Sequence, residues 1–218
     1  MKYPNFQEEK MLWDQDFKHV VGLDESGRGP LAGPVVAAAV TILRNRKKHS
    51  GILQNARMFS CIRDSKKISE QKREFFYKQL VNHPQIQWGI GVVFERTIDR
   101  INILKATKLA MEKALRQVQG RLKQKPDFLL IDGNFGIDIE IPQKSIIAAD
   151  QKVFSCTAAG IIAKVTRDKI LQELHKKYPQ YGFNRHKGYG TKLHFKNLQK
   201  FGPCKIHRKT FYPVRSLQ

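Results

Sequence analysis

Three short apolar runs, each followed by an aspartate, constrain the fold of this chain more than any other pattern in it. Val20-Val21-Gly22-Leu23 runs into Asp24, Phe128-Leu129-Leu130-Ile131 into Asp132, and the segment from Ser145 to Ala149 into Asp150. Continuous apolar runs of this length read as central strands of a sheet. Side chains at strand ends converge at one edge of a sheet, so three aspartates far apart in sequence can meet there, with Glu25 beside them.

The rest of the pattern fits a sheet covered by helices. Gly33 to Leu43 is rich in Val and Ala and reads as the hairpin partner of the strand over 19–24. Gln87 to Glu95, with Trp88, Ile90, Val92 and Phe94 alternating, reads as a third strand, and together these predict an antiparallel meander. The basic stretch from Arg44 to Arg57 has loop composition, and Ser69 with Glu70 close behind opens a helix to about Val81. Met111, Leu115, Val118 and Leu122 form the apolar stripe of an amphipathic helix over 103–123, with Lys and Arg on its other face. A long helix over 153–175 follows Asp150, its first half small and apolar enough to lie deep against the sheet. Asp138 and Glu140 fall in a hairpin connection by this reading, outside the site. Strands followed by alternating helix and strand make the fold class α/β, a mixed β-sheet flanked by helices. The expected layout is an extension over 1–17, a main domain over 18–180, and a small helical, basic C-terminal appendage over 181–218 packed on the same domain.

Charge narrows the partner. The 218 residues carry 40 Lys and Arg against 19 Asp and Glu, a formal net charge of +21, and such a field attracts polyanions whatever the fold. Lys164 to Arg215 contributes 14 of those basic residues against only Asp168 and Glu173, so the basic face is built largely from the C-terminal quarter. Nucleic acid is the first candidate partner. Cys61, Cys156 and Cys204 show no CxxC spacing, which argues against a disulfide framework or a zinc site and for a reducing cytoplasm. No run of 18 apolar residues occurs, so no membrane span is expected.

In this charged setting the aspartates acquire a chemical meaning. Two hard divalent ions need a cluster of oxygen ligands. Held about 3.5–4 Å apart, they activate water and stabilise the leaving oxygen of an in-line displacement at phosphorus. Neighbours in a regular strand face opposite sides, so Asp24 is the better bridging ligand, and Glu25 contributes less, through a break in the strand or its backbone carbonyl. Taken singly, the same residues also suit structural roles: Asp150 as a helix cap, Asp132-Gly133-Asn134 as a turn. Gly27-Arg28-Gly29 lets backbone N–H groups approach a sugar or phosphate closely, or serves as a tight turn between strands. Tyr189, between glycines in His186-Lys187-Gly188-Tyr189-Gly190-Thr191, can stack on a sugar or base. Lys164, Arg167, Lys187, Lys192 and Arg208 are candidates for phosphate contacts, Asp168 for an ion pair with a nearby base, and His186, His194 and His207 for structural roles.

DESGRGPLAGP, then LLIDGN, then AAD followed by AAGIIAKVTRD, then HKGYGT, together resemble the ordered signature of bacterial ribonuclease HII, over about Val20 to Val214. That resemblance implies a ribonuclease H-like fold and an endonuclease that hydrolyses the RNA strand of RNA/DNA hybrids. It also implies cutting 5′ of ribonucleotides embedded in duplex DNA, leaving 3′-hydroxyl and 5′-phosphate ends, with Mg2+ or Mn2+ as cofactor. It assigns the catalytic and metal-binding roles to Asp24, Glu25, Asp132 and Asp150. Gly27, Arg28 and Gly29 would sense the ribonucleotide 2′-hydroxyl, Tyr189 would recognise the junction, and Lys66 of Asp64-Ser65-Lys66 would approach the scissile phosphate. Ser26, Ala149 and Gly160 depart from the commonest family pattern without removing a ligand. The expected enzyme is a monomer. Two other readings stay open at this point: a nonenzymatic nucleic-acid-binding protein, and a different two-metal nuclease such as a DNA junction resolvase.

Overall fold

The computed structural model describes residues 4–43 and 68–217. Its five strands are β1 (Val20–Ser26), β2 (Val35–Ile42), β3 (Ile86–Val93), β4 (Phe128–Asp132) and β5 (Gln143–Ile146). They form one sheet in the order β3-β2-β1-β4-β5. The expected meander is present: β1 pairs antiparallel with β2, and β2 with β3. β4 then runs parallel to β1, and β5 parallel to β4, which makes the sheet mixed.

Two expectations about this edge are corrected. Because β4 and β5 are parallel, residues 133–142 form a crossover loop rather than a hairpin, and Asp138 and Glu140 sit in that loop. The strand before Asp150 ends at Ile146, since Ala148 adopts a left-handed conformation at φ 55° and turns the chain into a short 3-10 turn, Ala149–Gln151. Asp150 is therefore offered by that turn. The third strand also stops at Val93, and Glu95 opens a short helix where the sequence reads as strand.

The helices are α1 (Gln7–Asp14), α2 (Glu70–Asn82), α3 (Glu95–Ile101), α4 (Ile103–Leu122), α5 (Phe154–Lys177), α6 (Phe183–His186) and α7 (Lys192–Phe201). Strand periodicity divides the core into two layers. Val21, Leu23, Val35, Ala37 and Ala39 pack with Ala110, Met111, Ala114 and Val118 of α4. Val20, Val36, Ala38, Val40 and Leu130 face the other way, onto Cys156, Ala159 and Ile162 of α5. Both helices lie almost on the sheet backbone. A Cβ at Gly91 would collide with the Ala110 carbonyl of α4, and one at Gly22 with Ser155 and the Cys156 nitrogen at the start of α5. A third cluster, including Leu31, Leu171, Phe183, Leu198 and Val214, packs the C-terminal segment onto the same body. Among the described residues no helix is long and apolar enough to cross a membrane.

The N-terminal segment braces the start of α5. Phe6, Leu12 and Trp13 join the α5-side core. Asn5 pairs with Val153, its N–H donating to Lys152 O and its carbonyl accepting from Phe154 N–H, both at 3.0 Å. Glu9, spaced with Leu12 and Trp13 on the inward face of α1, is fully buried and accepts the Ser155 N–H at 2.8 Å, satisfying one of the orphan donors of α5's first turn. Burial raises its carboxyl from 4.5 to about 7. A carboxyl whose folded pKa exceeds its unfolded one holds a proton in the fold that the unfolded chain has released. Its contribution to stability therefore declines as pH rises through that window. Glu9→Gln keeps an oxygen acceptor for Ser155 and removes the titration. Urea unfolding at a series of pH values should show the variant gaining on wild type from pH 4.5 to 7, by on the order of 3 kcal/mol at most. A difference independent of pH would refute this account.

Candidate active site

Strand parity places the first two carboxylates. Leu23 is registered with Ile131, so Asp24 and Asp132 are the next residues along two parallel neighbours. Both continue the α5-side rows that include Val20 and Leu130. Asp150 arrives on the same side because the turn that carries it leads into α5. One carboxylate oxygen from each of Asp24, Asp132 and Asp150 lies within 4.8 Å of the others. Asp24 and Asp150 are buried, at 2% and 1% exposure, and Asp132 is half-buried. Asp132 Oδ1 accepts the Ala149 N–H at 2.7 Å, tying the end of β4 to the turn that carries Asp150. Thr157 Oγ1 donates to the Asp150 carbonyl at 2.8 Å from one turn inside α5.

Glu25, one residue on, lies on the opposite face, as strand geometry requires, and its side chain is outside this triad. β1 continues through it to Ser26. Its N–H donates to Asp24 Oδ1 at 2.6 Å, and its Oε1 pairs with Arg28 Nη1 at 3.3 Å. The negative field reaches beneath the site: burial first, then the charges of Glu9, Asp24 and Asp132, push the Cys156 thiol well above its ordinary range. Three carboxylates from three elements, without a histidine or thiolate among the clustered ligands, make a hard oxygen donor set that fits a divalent cation such as Mg2+ or Mn2+.

The other sequence-derived candidates divide into those at the surface and those buried. Arg28 and Gly29 are exposed, and around Gly29 a Cβ would meet nothing within 4 Å. Tyr189 is 43% exposed. Its loop is joined to the segment after Gly29, Leu31 N–H donating to Gly188 O at 2.9 Å. Lys187 Nζ donates to Asn184 O, and Lys164 Nζ pairs with Asp168 Oδ1 at 2.7 Å, which supplies the expected ion partner of Asp168. Lys66 lies outside the described residues. Arg167 and Arg208 are not phosphate contacts: both are fully buried, and their guanidiniums are spent on backbone carbonyls. The three histidines pack together inside the C-terminal segment, His186 stacked on His194 and His194 Nε2 lying 3.0 Å from His207 Nε2. Burial drives both down to about 4, so they are neutral at physiological pH.

Sequence reasoning missed Glu9 and Asp99, and gave Arg167 and Arg208 a phosphate role where the fold gives them backbone carbonyls. Asp99 on α3 accepts from Lys209 N–H and Thr210 N–H at 3.0 Å each and latches the tail. Only Glu9 had a legible signal, its spacing of three and four residues from Leu12 and Trp13.

A mixed sheet of this order, flanked by helices and carrying two aspartates at the ends of adjacent parallel strands with a third from the turn before α5, defines a ribonuclease H-type nuclease. The family model described as Ribonuclease HII matches residues 21–214. The chain is 46% identical over 214 residues to ribonuclease HII of Chlamydia muridarum, covering 96% of this chain and 91% of that protein. It is 49% identical over 203 residues to ribonuclease HII of Acetivibrio thermocellus, covering 93% and 73%. The solved ribonuclease H2 from Pyrococcus horikoshii OT3 matches with a TM-score of 0.68 at 26% identity, over 91% of this chain and 96% of that one. The chain belongs to the ribonuclease HII family. It is a ribonuclease H, an endonuclease acting on nucleic acid.

Three carboxylates this close repel one another when no cation lies among them. Asp150→Asn should raise the melting temperature in chelator by about 2–4 °C, the shift that about 1 kcal/mol produces in a domain of this size. It should also shrink the rise that wild type shows on adding MgCl2 or MnCl2. Thermal melts with and without each metal check this, and an unchanged metal-induced rise would count against Asp150 as a ligand.

Proposed function

We propose that this enzyme hydrolyses the RNA strand of RNA/DNA hybrids and cuts 5′ of single ribonucleotides embedded in duplex DNA, leaving 3′-hydroxyl and 5′-phosphate ends. The observation that carries this reading is the junction of two glycine loops beside the carboxylates. Gly27-Arg28-Gly29 begins two residues after Glu25, and Leu31 N–H donates to Gly188 O, bringing Tyr189 alongside. Exposed backbone at Gly29 and an exposed tyrosine ring are suited to a ribose, whose 2′-hydroxyl separates RNA from DNA.

Asp24, Asp132 and Asp150 would hold a pair of Mg2+ or Mn2+ ions, and Glu25, whose side chain lies outside the triad, would contribute less, through its backbone carbonyl. Bound there, such a pair supplies an activated water and charge stabilisation at the leaving oxygen. The chain's own part is to hold the carboxylates at fixed spacing and to orient the scissile bond against them. Gly27, Arg28, Gly29 and Tyr189 would bind the ribonucleotide, while Lys66, Lys164 and Lys187 would meet phosphates along the basic face. In this reading residues 181–218 are a substrate-binding segment of the same domain, and residues 1–17 an extension braced against it. We further propose that the enzyme works as a monomer in the cytoplasm, where Cys156 and Cys204 persist as thiols.

The test is cleavage of a duplex bearing one ribonucleotide, in magnesium and in manganese, by wild type and by Asp132→Asn. The variant should lose about 4 kcal/mol of transition-state stabilisation, roughly a thousandfold in rate. Its affinity for the duplex should persist, because the phosphate contacts remain. Near-wild-type rates in the variant, or equal cutting of the all-DNA duplex by wild type, would overturn the proposal.

A further inference from the structure

Two buried arginines, without a direct carboxylate partner among the described residues, sit behind the proposed ribose site. Arg208 Nε and Nη2 donate to Gly33 O at 3.0 and 2.9 Å, Nη1 to Arg28 O at 2.7 Å, and Nη2 to Gly27 O at 2.6 Å. Arg167 donates from Nε to Pro34 O at 2.9 Å, from Nη1 to Lys187 O at 3.0 Å and from Nη2 to Ala32 O at 3.2 Å. Both side chains are 0% exposed. Six backbone carbonyls from two loops thus converge on two adjacent guanidiniums. Burying such charges is costly, and burial pushes both guanidinium pKa values down, that of Arg208 to about 9.

The consequence follows from peptide geometry. In a trans peptide the carbonyl of one residue and the N–H of the next point in opposite directions. Holding the carbonyls of Gly27 and Arg28 inward on Arg208 therefore turns the N–H groups of Arg28 and Gly29 away from it, at two residues that are exposed. Gly27, at φ 99°, packs so close to Arg167 that a Cβ there would strike its side chain. Arg167 also joins this loop to Lys187, with its guanidinium carbon 5.8 Å from the centre of the Tyr189 ring. A lysine carries three donors on one nitrogen and cannot span these carbonyls, whereas the planar guanidinium fork can.

We infer that Arg167 and Arg208 are positioning residues for ribose recognition, which aim the Arg28 and Gly29 N–H groups and set the gap between them and Tyr189. The inference rests on the reading of the two loops as the ribose site. It makes substrate discrimination depend on the C-terminal segment, through a residue far in sequence from the loop it orients.

The test compares wild type with Arg208→Lys on a duplex carrying one ribonucleotide, measuring kcat, KM and the salt dependence of duplex binding. Misaiming the loop should lower kcat by about tenfold to a hundredfold, with KM and the salt slope unchanged. A kcat near wild type, or a salt slope reduced by about one as for a lost phosphate contact, would overturn the inference. Arg167→Lys under the same measurements serves if Arg208→Lys does not fold at the assay temperature. Nitrogen-15 spectra of wild-type arginines need no variant: the Nε–H signals of Arg167 and Arg208 should exchange slowly and keep their shifts when a short all-DNA duplex is added. Shifts as large as those of exposed arginines would assign both to phosphate and overturn the inference. Wild-type inactivity on the ribonucleotide duplex would instead overturn the function and this inference together. Normal wild-type cutting beside an unaltered variant overturns the inference alone.

Discussion

The close approach of α5 to β1 at Gly22 is the contact on which the site depends. With no side chain at that position, the first turn of α5 lies against the strand backbone, where any Cβ would meet Ser155 and Cys156. Asp150 precedes that turn by a few residues, and Asp24 follows Gly22 by two, so the contact that seats the helix also brings the carboxylates together. Close packing of this kind is stiff, because neither backbone can yield without losing hydrogen bonds. The Asn5 pairing and the Glu9 cap hold the same turn from behind.

A second constraint acts at the other end of the site. The C-terminal segment is bound by a bridge between Ala32 and His207, by Gly33 N–H on Ile206 O, and by Asp99 on Lys209 and Thr210. Arg208 and Arg167 then tie the loop after Asp24 to the loop bearing Tyr189. Not all of the basic excess faces solvent. Two of the cations that composition assigns to a polyanion are structural, and they fix backbone where flexible lysines could not.

Much of the fold was readable because local rules control it. The meander over 20–42 and 86–93, the helix capped by Ser69, and the stripe on α4 follow from periodicity and capping, with differences of a residue or two at the ends. The errors fall where tertiary context wins. Ser145 to Ala149 has strand-like composition, yet pairing ends at Ile146 because the chain must turn at Ala148 to enter α5. Phe94 and Glu95 continue an alternating pattern, but the strand partner is exhausted at Val35, which pairs with Val93. The 133–142 connection resembles a hairpin because nothing local distinguishes parallel from antiparallel return.

For the site, the sequence by itself determined which carboxylates could cluster, through the parity of Asp24 against Glu25 and the apolar runs that mark buried strands. It also marked the two glycine loops as places where backbone can meet a ligand. Only the tertiary structure decided that Asp150 comes from a turn, that β1 runs unbroken through Glu25, and that Arg167 and Arg208 point inward. A residue's type and spacing specify its chemistry and its face on a strand or helix. Whether a guanidinium ends on phosphate or on carbonyls depends on which distant segments pack around it, and that is set only when the C-terminal segment closes over Gly27 to Pro34.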